Sequence, residues 1–171
     1  MKRGGGKNKG HNFENTVSKI LSEWWGVENS FVRTPGSGAW KKISKATNEA
    51  SKSAVADIVT PNNFPFTIEA KKDESFEFRH LLDNYQDCTL AKWLDKLENE
   101  DCLISKKKPM LIFSRNFWSV FAVVKQEDFI KFHVFSIISF VWRNWVIFRL
   151  KDFTDTVLKD NLIAEYGKDY A

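Results

Sequence analysis

Two short runs of strand-like composition lie on either side of a strong turn signal, and this pair constrains the fold more than any other feature. The runs are residues 54–60 (AVADIVT) and 64–72 (FPFTIEAKK), and they are separated by Pro61, Asn62 and Asn63. Proline and asparagine favour tight turns, and apolar residues alternate with polar ones in the second run. The sequence therefore predicts an antiparallel β-hairpin with its turn centred near Asn63.

This hairpin brings two acidic residues together. Asp57 lies six residues before the turn centre and Glu69 six after it, so regular pairing places them opposite each other with Cβ atoms about 5 Å apart. Facing carboxylates repel each other unless a cation lies between them, and oxygen ligands favour hard divalent ions such as Mg²⁺ or Mn²⁺. Lys71 lies on the same strand face as Glu69. This set suits phosphodiester hydrolysis, although an exposed strand face also holds such charges for solubility alone.

The pattern of apolar residues predicts helices on both sides of these strands. The first helix begins at Asn12 and stops at Gly26, with Glu14 at the border of its apolar stripe. The remaining predicted elements are a strand near 30–34, helical spacing over 78–97 with a break near Cys88, strands at 110–114, 118–124, 132–141 and 145–150, and a closing helix at 154–166. This order predicts an α/β fold, in which a mixed central β-sheet is flanked by helices.

Length and charge distribution predict the domain organisation. A chain of 171 residues suits one domain, and its first ten residues (MKRGGGKNKG) cannot order themselves by burial. We therefore expect residues 1–11 to form a flexible basic tail and residues 12–171 to form a single domain. Residues 1–60 contain ten Lys or Arg against five Asp or Glu. Such a surface attracts phosphate backbones, or is simply a solvated terminus.

Other features exclude some classes of protein. The most apolar stretch, residues 129–150, is interrupted by charged side chains, which argues against a membrane span. Cys88 and Cys102 are too few for a disulfide framework, and no signal peptide is visible. The sequence predicts two reduced thiols and a cytoplasmic protein of a prokaryotic or infected host cell.

A glycine-containing turn and a lysine-rich segment precede the hairpin. The turn is Pro-Gly-Ser-Gly at residues 35–38, which is either only a tight turn or a contact to phosphate through backbone and hydroxyl groups. The lysines that follow either face solvent or, in a nuclease, track the DNA backbone. They are Lys41, Lys42, Lys45 and Lys52.

Several of these residues together resemble the motifs of the PD-(D/E)xK nucleases. Within that superfamily the chain is most similar to the archaeal-type Holliday junction resolvases, including those carried by phages. The resemblance covers roughly residues 10–75 and implies a restriction-endonuclease-like core; Ala56 stands where the superfamily name has proline. The residues that carry it are Glu14, Arg33, Gly36-Ser37-Gly38, Asp57 and Glu69-Ala70-Lys71.

The resemblance also implies roles for these residues. Asp57 and Glu69 would ligate Mg²⁺, which Mn²⁺ could replace, and Glu14 would assist at the metal. Lys71 would handle the nucleophile. The residues implied to contact DNA are Arg33, Ser37 in the turn near the scissile strand, Gly38 and the four lysines of the loop.

The implied substrate is branched DNA. In the resembling family, a homodimer binds a four-way junction and makes paired nicks, which serve DNA recombination and repair. We expect Trp142 and Trp145 to contribute to the dimer contact, although aromatic residues in a strand pair also lie in cores. Two alternatives stay open: a restriction- or repair-type nuclease that cuts duplex or flap DNA, and a non-catalytic DNA-binding module whose acids are structural.

Overall fold

A single mixed β-sheet of seven strands forms the centre of the molecule. The computed structural model describes residues 5–35, 55–83, 87–134 and 136–167. The strands are β1 (Val32–Arg33), β2 (Ile58–Val59), β3 (Phe66–Lys72), β4 (Lys108–Ser114), β5 (Phe121–Lys125), β6 (Ser139–Trp142) and β7 (Trp145–Arg149). Their order in the sheet is β1-β2-β3-β4-β5-β7-β6. The pair β3–β4 is parallel and the other pairs are antiparallel, which confirms the predicted mixed sheet.

Helices flank this sheet, so the predicted α/β fold is confirmed. They are α1 (Gly5–Trp25), α2 (Arg79–Leu82), α3 (Thr89–Lys96), α4 (Cys102–Ser105), α5 (Gln126–Ile130), α6 (Leu150–Thr156) and α7 (Lys159–Tyr166). A π-helical turn, Leu97–Asp101, joins α3 to α4. Within the described ranges, none of the helices has the length and apolar character needed to cross a bilayer.

The first helix and the closing helix differ from the prediction. Helix α1 begins at Gly5 and not at Asn12, because extending an existing helix by about two turns costs little compared with nucleating one. The predicted closing helix is two helices, α6 and α7, because Val157 between them is extended. The indole Nε1 of Trp24 donates a hydrogen bond of 2.9 Å to the Val157 carbonyl. A tertiary contact thus occupies this carbonyl at the break.

Helix α1 packs along one face of the sheet. Phe13, Val17, Leu21 and Trp25 recur at helical spacing and are all buried, so they form one apolar stripe. Gly26 ends the helix with a positive φ of 76°, a conformation that glycine adopts without a steric penalty. The stripe lies in the same core cluster as the side chains of β3 that point towards α1.

Both faces of strand β3 are buried. Phe66, Ile68 and Ala70 point into the core shared with α1, and the alternate residues Thr67 and Glu69 are also buried. The alternation of β3 was also compatible with a polar face exposed to solvent, but α3 covers the sheet on that side. Because Glu69 is buried there, a contribution to solubility does not explain its carboxylate.

The aromatic pair near the carboxyl terminus lies in the core. Trp142 and Trp145 are 5% and 6% exposed and pack in the cluster beneath α3. The prediction that these rings form a dimer contact is wrong, because the chain's own side chains already cover them. The ammonium of Lys125 lies 4.2 Å from the centre of the Trp145 ring, a cation–π contact.

Candidate active site

The hairpin register places Asp57 across from Glu69, as the sequence predicts. Strand β2 pairs with β3 so that Ile58 is opposite Ile68. In an antiparallel pair, the residue before Ile58 is then opposite the residue after Ile68. The amide of Ala70 donates a hydrogen bond of 3.1 Å to Oδ2 of Asp57. This bond holds the aspartate against the end of β3.

Both carboxylates contact one ammonium group. Nζ of Lys71 lies 2.9 Å from Oδ2 of Asp57 and 2.6 Å from Oε1 of Glu69. The two oxygens are therefore separated by no more than the sum of these distances. All three side chains lie on the same face of the sheet, and the two carboxylates are almost completely buried.

The buried charged groups of the cluster shift one another's pKa values. Burial raises the pKa of Asp57, and the charge of Glu69 raises it further against the lowering effect of Lys71. Burial also favours the neutral form of Glu69, but the ammonium groups of Lys71 and Lys96 outweigh it and lower the pKa of Glu69. Burial disfavours the charge on Lys71, yet Glu69 and Asp57 outweigh it and raise the pKa of Lys71. Lys71 is thus a cation and a donor in this cluster, and not a base.

Lys96 is a fourth member of the cluster that the sequence analysis missed. It lies at the last position of α3, and its Nζ is 2.9 Å from Oε1 of Glu69. Although burial disfavours its charge, the carboxylate of Glu69 raises the pKa of Lys96. Its side chain is 43% exposed, so the ammonium reaches both the buried carboxylate and solvent. Local sequence carried no signal for this role, because it depends on how α3 docks on the sheet.

Glu14 is not part of this cluster. Its Oε2 accepts a bond of 2.6 Å from Nε of Arg33 on β1. Glu14 projects from α1, which packs on the face of β3 that carries Phe66 and Ile68, opposite to the face of Glu69. The metal-ligand role implied for Glu14 stays a prediction; in the structure, Glu14 forms an ion pair with Arg33.

The donor set of the cluster fits one hard divalent ion. Asp57 and Glu69 supply two convergent carboxylates, and Mg²⁺ is typically bound by one or two carboxylates together with water and substrate phosphates. Mutual repulsion contributes to the raised pKa of Asp57, and a bound dication would relieve it. Among the described residues, no group of three or more His, Cys, Asp or Glu side chains is arranged to hold a metal. Asp57 and Glu69 are therefore the described residues that would hold the ion.

The predicted DNA contacts fall largely on a part of the chain that lies outside the described residues. These are Ser37, Gly38, Lys41, Lys42, Lys45 and Lys52, together with Gly36 of the same turn. Arg33 is described, and its guanidinium is engaged by Glu14. Its contact with DNA stays a prediction.

Comparison with known proteins identifies a family for this chain. A family model described as "Phage putative PDDEXK endonuclease" matches residues 5–164. No curated protein and no solved structure matches the chain. The matched segment spans α1, the whole sheet and nearly all of α7, so it includes every residue of the cluster.

Proposed function

The chain belongs to the phage PDDEXK endonuclease family, which makes it a nuclease, and on that premise we propose that it is a metal-dependent, structure-selective DNA endonuclease. The observation that carries the proposal is the convergence of Asp57 and Glu69 on Nζ of Lys71, at 2.9 and 2.6 Å. Burying two carboxylates beside an amine is costly, and groups that perturb one another's pKa in this way are concentrated at functional sites.

The residues of the cluster have distinct tasks in this proposal. Asp57 and Glu69 hold the ion, and the amide of Ala70 fixes the orientation of Asp57. When bound, a divalent ion polarises a phosphoryl oxygen and lowers the pKa of a coordinated water. The ammonium of Lys71 orients the attacking water and offsets negative charge that develops on the phosphate. The metal is Mg²⁺, which Mn²⁺ could replace, because both prefer oxygen ligands.

The proposed substrate is branched DNA, and in particular the four-way junction. The resemblance of the motifs to junction resolvases supports this, as does the excess of basic residues in the first sixty positions. Two related nicks on one junction require two related active sites, which a symmetric homodimer supplies. The proposed cellular roles are DNA recombination and repair.

The test compares DNA structures and metals in one assay. The protein is incubated with a labelled synthetic four-way junction, a flap and a linear duplex, each with Mg²⁺ or with EDTA. Paired nicks in the junction that require Mg²⁺ support the proposal. Cutting of duplex or flap DNA instead indicates a restriction- or repair-type nuclease, and binding without cutting under any condition indicates a DNA-binding module.

Variants test the assignment of residues. Asp57→Asn, Glu69→Gln and Lys71→Ala are each expected to keep DNA binding while cleavage falls by at least about a hundredfold. Asp155→Asn is the matched control, since Asp155 is an exposed aspartate in α6 that pairs with Lys151, four residues before it. If the first three variants cut as fast as the control, the cluster is not the active site.

A further inference from the structure

The loop between β4 and β5 presents an aromatic ring to solvent. The side chain of Phe117 is fully exposed, while the neighbouring Trp118 is about one-third exposed. Exposing a phenylalanine forgoes the stabilisation that its burial would bring. The exposed ring at the tip of this hairpin is therefore a candidate contact for a binding partner.

The backbone at this ring adopts a conformation that its side chain disfavours. Phe117 has a φ of 65°, in the left-handed region that bulky residues rarely occupy. Hydrogen bonds on both sides hold it there. The Arg115 carbonyl accepts two hydrogen bonds, one of 3.1 Å from the amide of Trp118 and one of 3.0 Å from Oγ of Ser114. The amide of Asn116 donates a hydrogen bond of 3.2 Å to the Glu74 carboxylate. The loop is built to hold the ring outward.

The base of the loop is anchored to the core. The ring of Trp118 stacks on Phe78, with centroids 5.5 Å apart and planes inclined by 13°. Nη1 of Arg115 donates a hydrogen bond of 3.4 Å to the Phe76 carbonyl, and the guanidinium of Arg115 lies 5.4 Å from the centre of the Trp118 ring. Two of the loop's large side chains thus fix its position, and Phe117 alone points away.

A basic groove lies beside this ring. It has a volume of about 390 Å³ between the start of α1 and the ends of β3 and β4. Lys9, Lys72 and Arg115 line it together with Phe117 and Trp118, and among the described residues none of those that line it is acidic. The groove therefore attracts a polyanion and offers it an apolar ring.

The groove lies at the carboxyl end of β3, the strand that also carries Glu69 and Lys71. Lys72 follows Lys71 at the carboxyl end of β3, and the two side chains point to opposite faces of the sheet. Lys72 is also in register with Ser114, the residue at which the loop begins. A strand of DNA that crosses the ends of β3 and β4 would meet the catalytic face and the groove in succession.

We propose that this groove and the 115–118 loop bind DNA, and that Phe117 stacks on a base that has lost its stacking neighbour at a branch point. This rests on the proposed function, whose substrate it specifies. A hydrocarbon ring has no polar atom with which to bind a phosphate, and the base faces inside a regular duplex are already covered by their neighbours. Apart from the ends of a duplex, only an unstacked base offers a free aromatic face. Phe117 thus selects DNA that contains an unpaired base or a junction, while the three cations bind the backbone.

The test measures binding without cleavage. The full-length protein, in EDTA, is titrated into a four-way junction and into a duplex of equal length, with 2-aminopurine at the branch point and at the matching duplex position. Phe117→Gly removes the ring and also the strain of a positive φ, whereas Phe117→Tyr keeps an aromatic ring. Leu103→Ala is the control, since Leu103 is an exposed apolar residue on α4. Melting temperatures are recorded for each variant.

We expect Phe117→Gly to weaken junction binding by roughly 5- to 100-fold, a loss at least about fivefold larger than any loss on duplex. The 2-aminopurine fluorescence change at the branch should disappear. Phe117→Tyr should restore both properties, and Leu103→Ala should match the unmodified protein. The melting temperature of Phe117→Gly should not fall, because glycine is unstrained at this φ.

Equal losses on junction and duplex, or no loss on either, would overturn the proposal. So would an unmodified protein that binds both DNAs alike. Because no metal is present, the result does not depend on catalysis. If the protein cuts no DNA but Phe117→Gly weakens junction binding, the proposed nuclease activity is refuted and this inference stands. If the protein cuts DNA but Phe117→Gly binds the junction normally, this inference is refuted and the proposed activity stands.

Discussion

Nζ of Lys96 lies 2.9 Å from Oε1 of Glu69, the same oxygen that Lys71 contacts at 2.6 Å. One buried carboxylate thus binds two ammonium groups, one from its own strand and one from helix α3. This arrangement explains why the pKa of Glu69 is lowered despite its burial, which by itself would raise it. The cluster is a network of four charges, and its members are expected to respond unequally to substitution.

Removing Lys96 should destabilise the protein modestly. Lys96→Gln leaves Glu69 with one cation in place of two, and we expect the free energy of unfolding to fall by about 1 kcal/mol, since the partly exposed ammonium is screened by solvent. Urea denaturation in EDTA measures this change. Lys92→Gln is the control, because Lys92 is an exposed lysine of the same helix. Equal stability of the two variants would show that the contact contributes nothing.

Neutralising the two carboxylates should have opposite consequences for stability. Burial and the charge of Glu69 already favour a neutral Asp57, so Asp57→Asn should be at least as stable as the unmodified protein at pH 7. Glu69→Gln leaves Lys71 and Lys96 facing a neutral group, and its free energy of unfolding should fall by roughly 2 kcal/mol. Urea denaturation of both variants without metal compares them. A larger loss for Asp57→Asn would contradict the electrostatics described for the cluster.

The pair formed by Glu14 and Arg33 should be strongly coupled. Both side chains are largely covered, at 10% and 23% exposure, and their atoms are 2.6 Å apart. Arg33→Met leaves a buried carboxylate without its partner, which should lower the free energy of unfolding by roughly 2–3 kcal/mol. The double variant Glu14→Leu with Arg33→Met should recover part of this loss. A double-mutant cycle measures the coupling, and strictly additive effects would show that the pair is not a structural unit.

Cys102 should react slowly with thiol reagents. Burial raises the pKa of its thiol to about 12, and the nearby charge of Asp101 adds to this effect. Only the thiolate reacts, so alkylation by iodoacetamide at pH 8 should be on the order of a thousandfold slower in the folded protein than in urea. The rate in the folded protein should rise about tenfold per pH unit. Measuring it in a Cys88→Ser variant isolates Cys102, and a rate that levels off below pH 9 would contradict the raised pKa.

Local sequence was sufficient to predict the hairpin that carries Asp57 and Glu69. The turn formers Pro61, Asn62 and Asn63 set a register that the pairing of Ile58 with Ile68 confirms. The alternation of β3 then determined that Glu69 and Lys71 share a face. Hairpin register depends on residues within a few positions of the turn, so such geometry is readable from the chain itself.

Local sequence was not sufficient for contacts between distant elements. The alternation along β3 was consistent with a solvated polar face, but α3 covers that face and brings Lys96 to Glu69. The helical position of Glu14 did not reveal its ion pair with Arg33, because that pair depends on how α1 docks beside β1. The sequence favoured a dimer contact for Trp142 and Trp145, but the packing beneath α3 places them in the core.

The sequence by itself determined which residues form the hairpin and that two acids and an amine meet on one of its faces, because these relations follow from turn chemistry and the two-residue period of a strand. Only the tertiary structure decided which face each helix covers, and with that the burial of Glu69, its second ammonium and the partner of Glu14. Those outcomes depend on the fit of whole apolar surfaces to one another, which no short segment encodes.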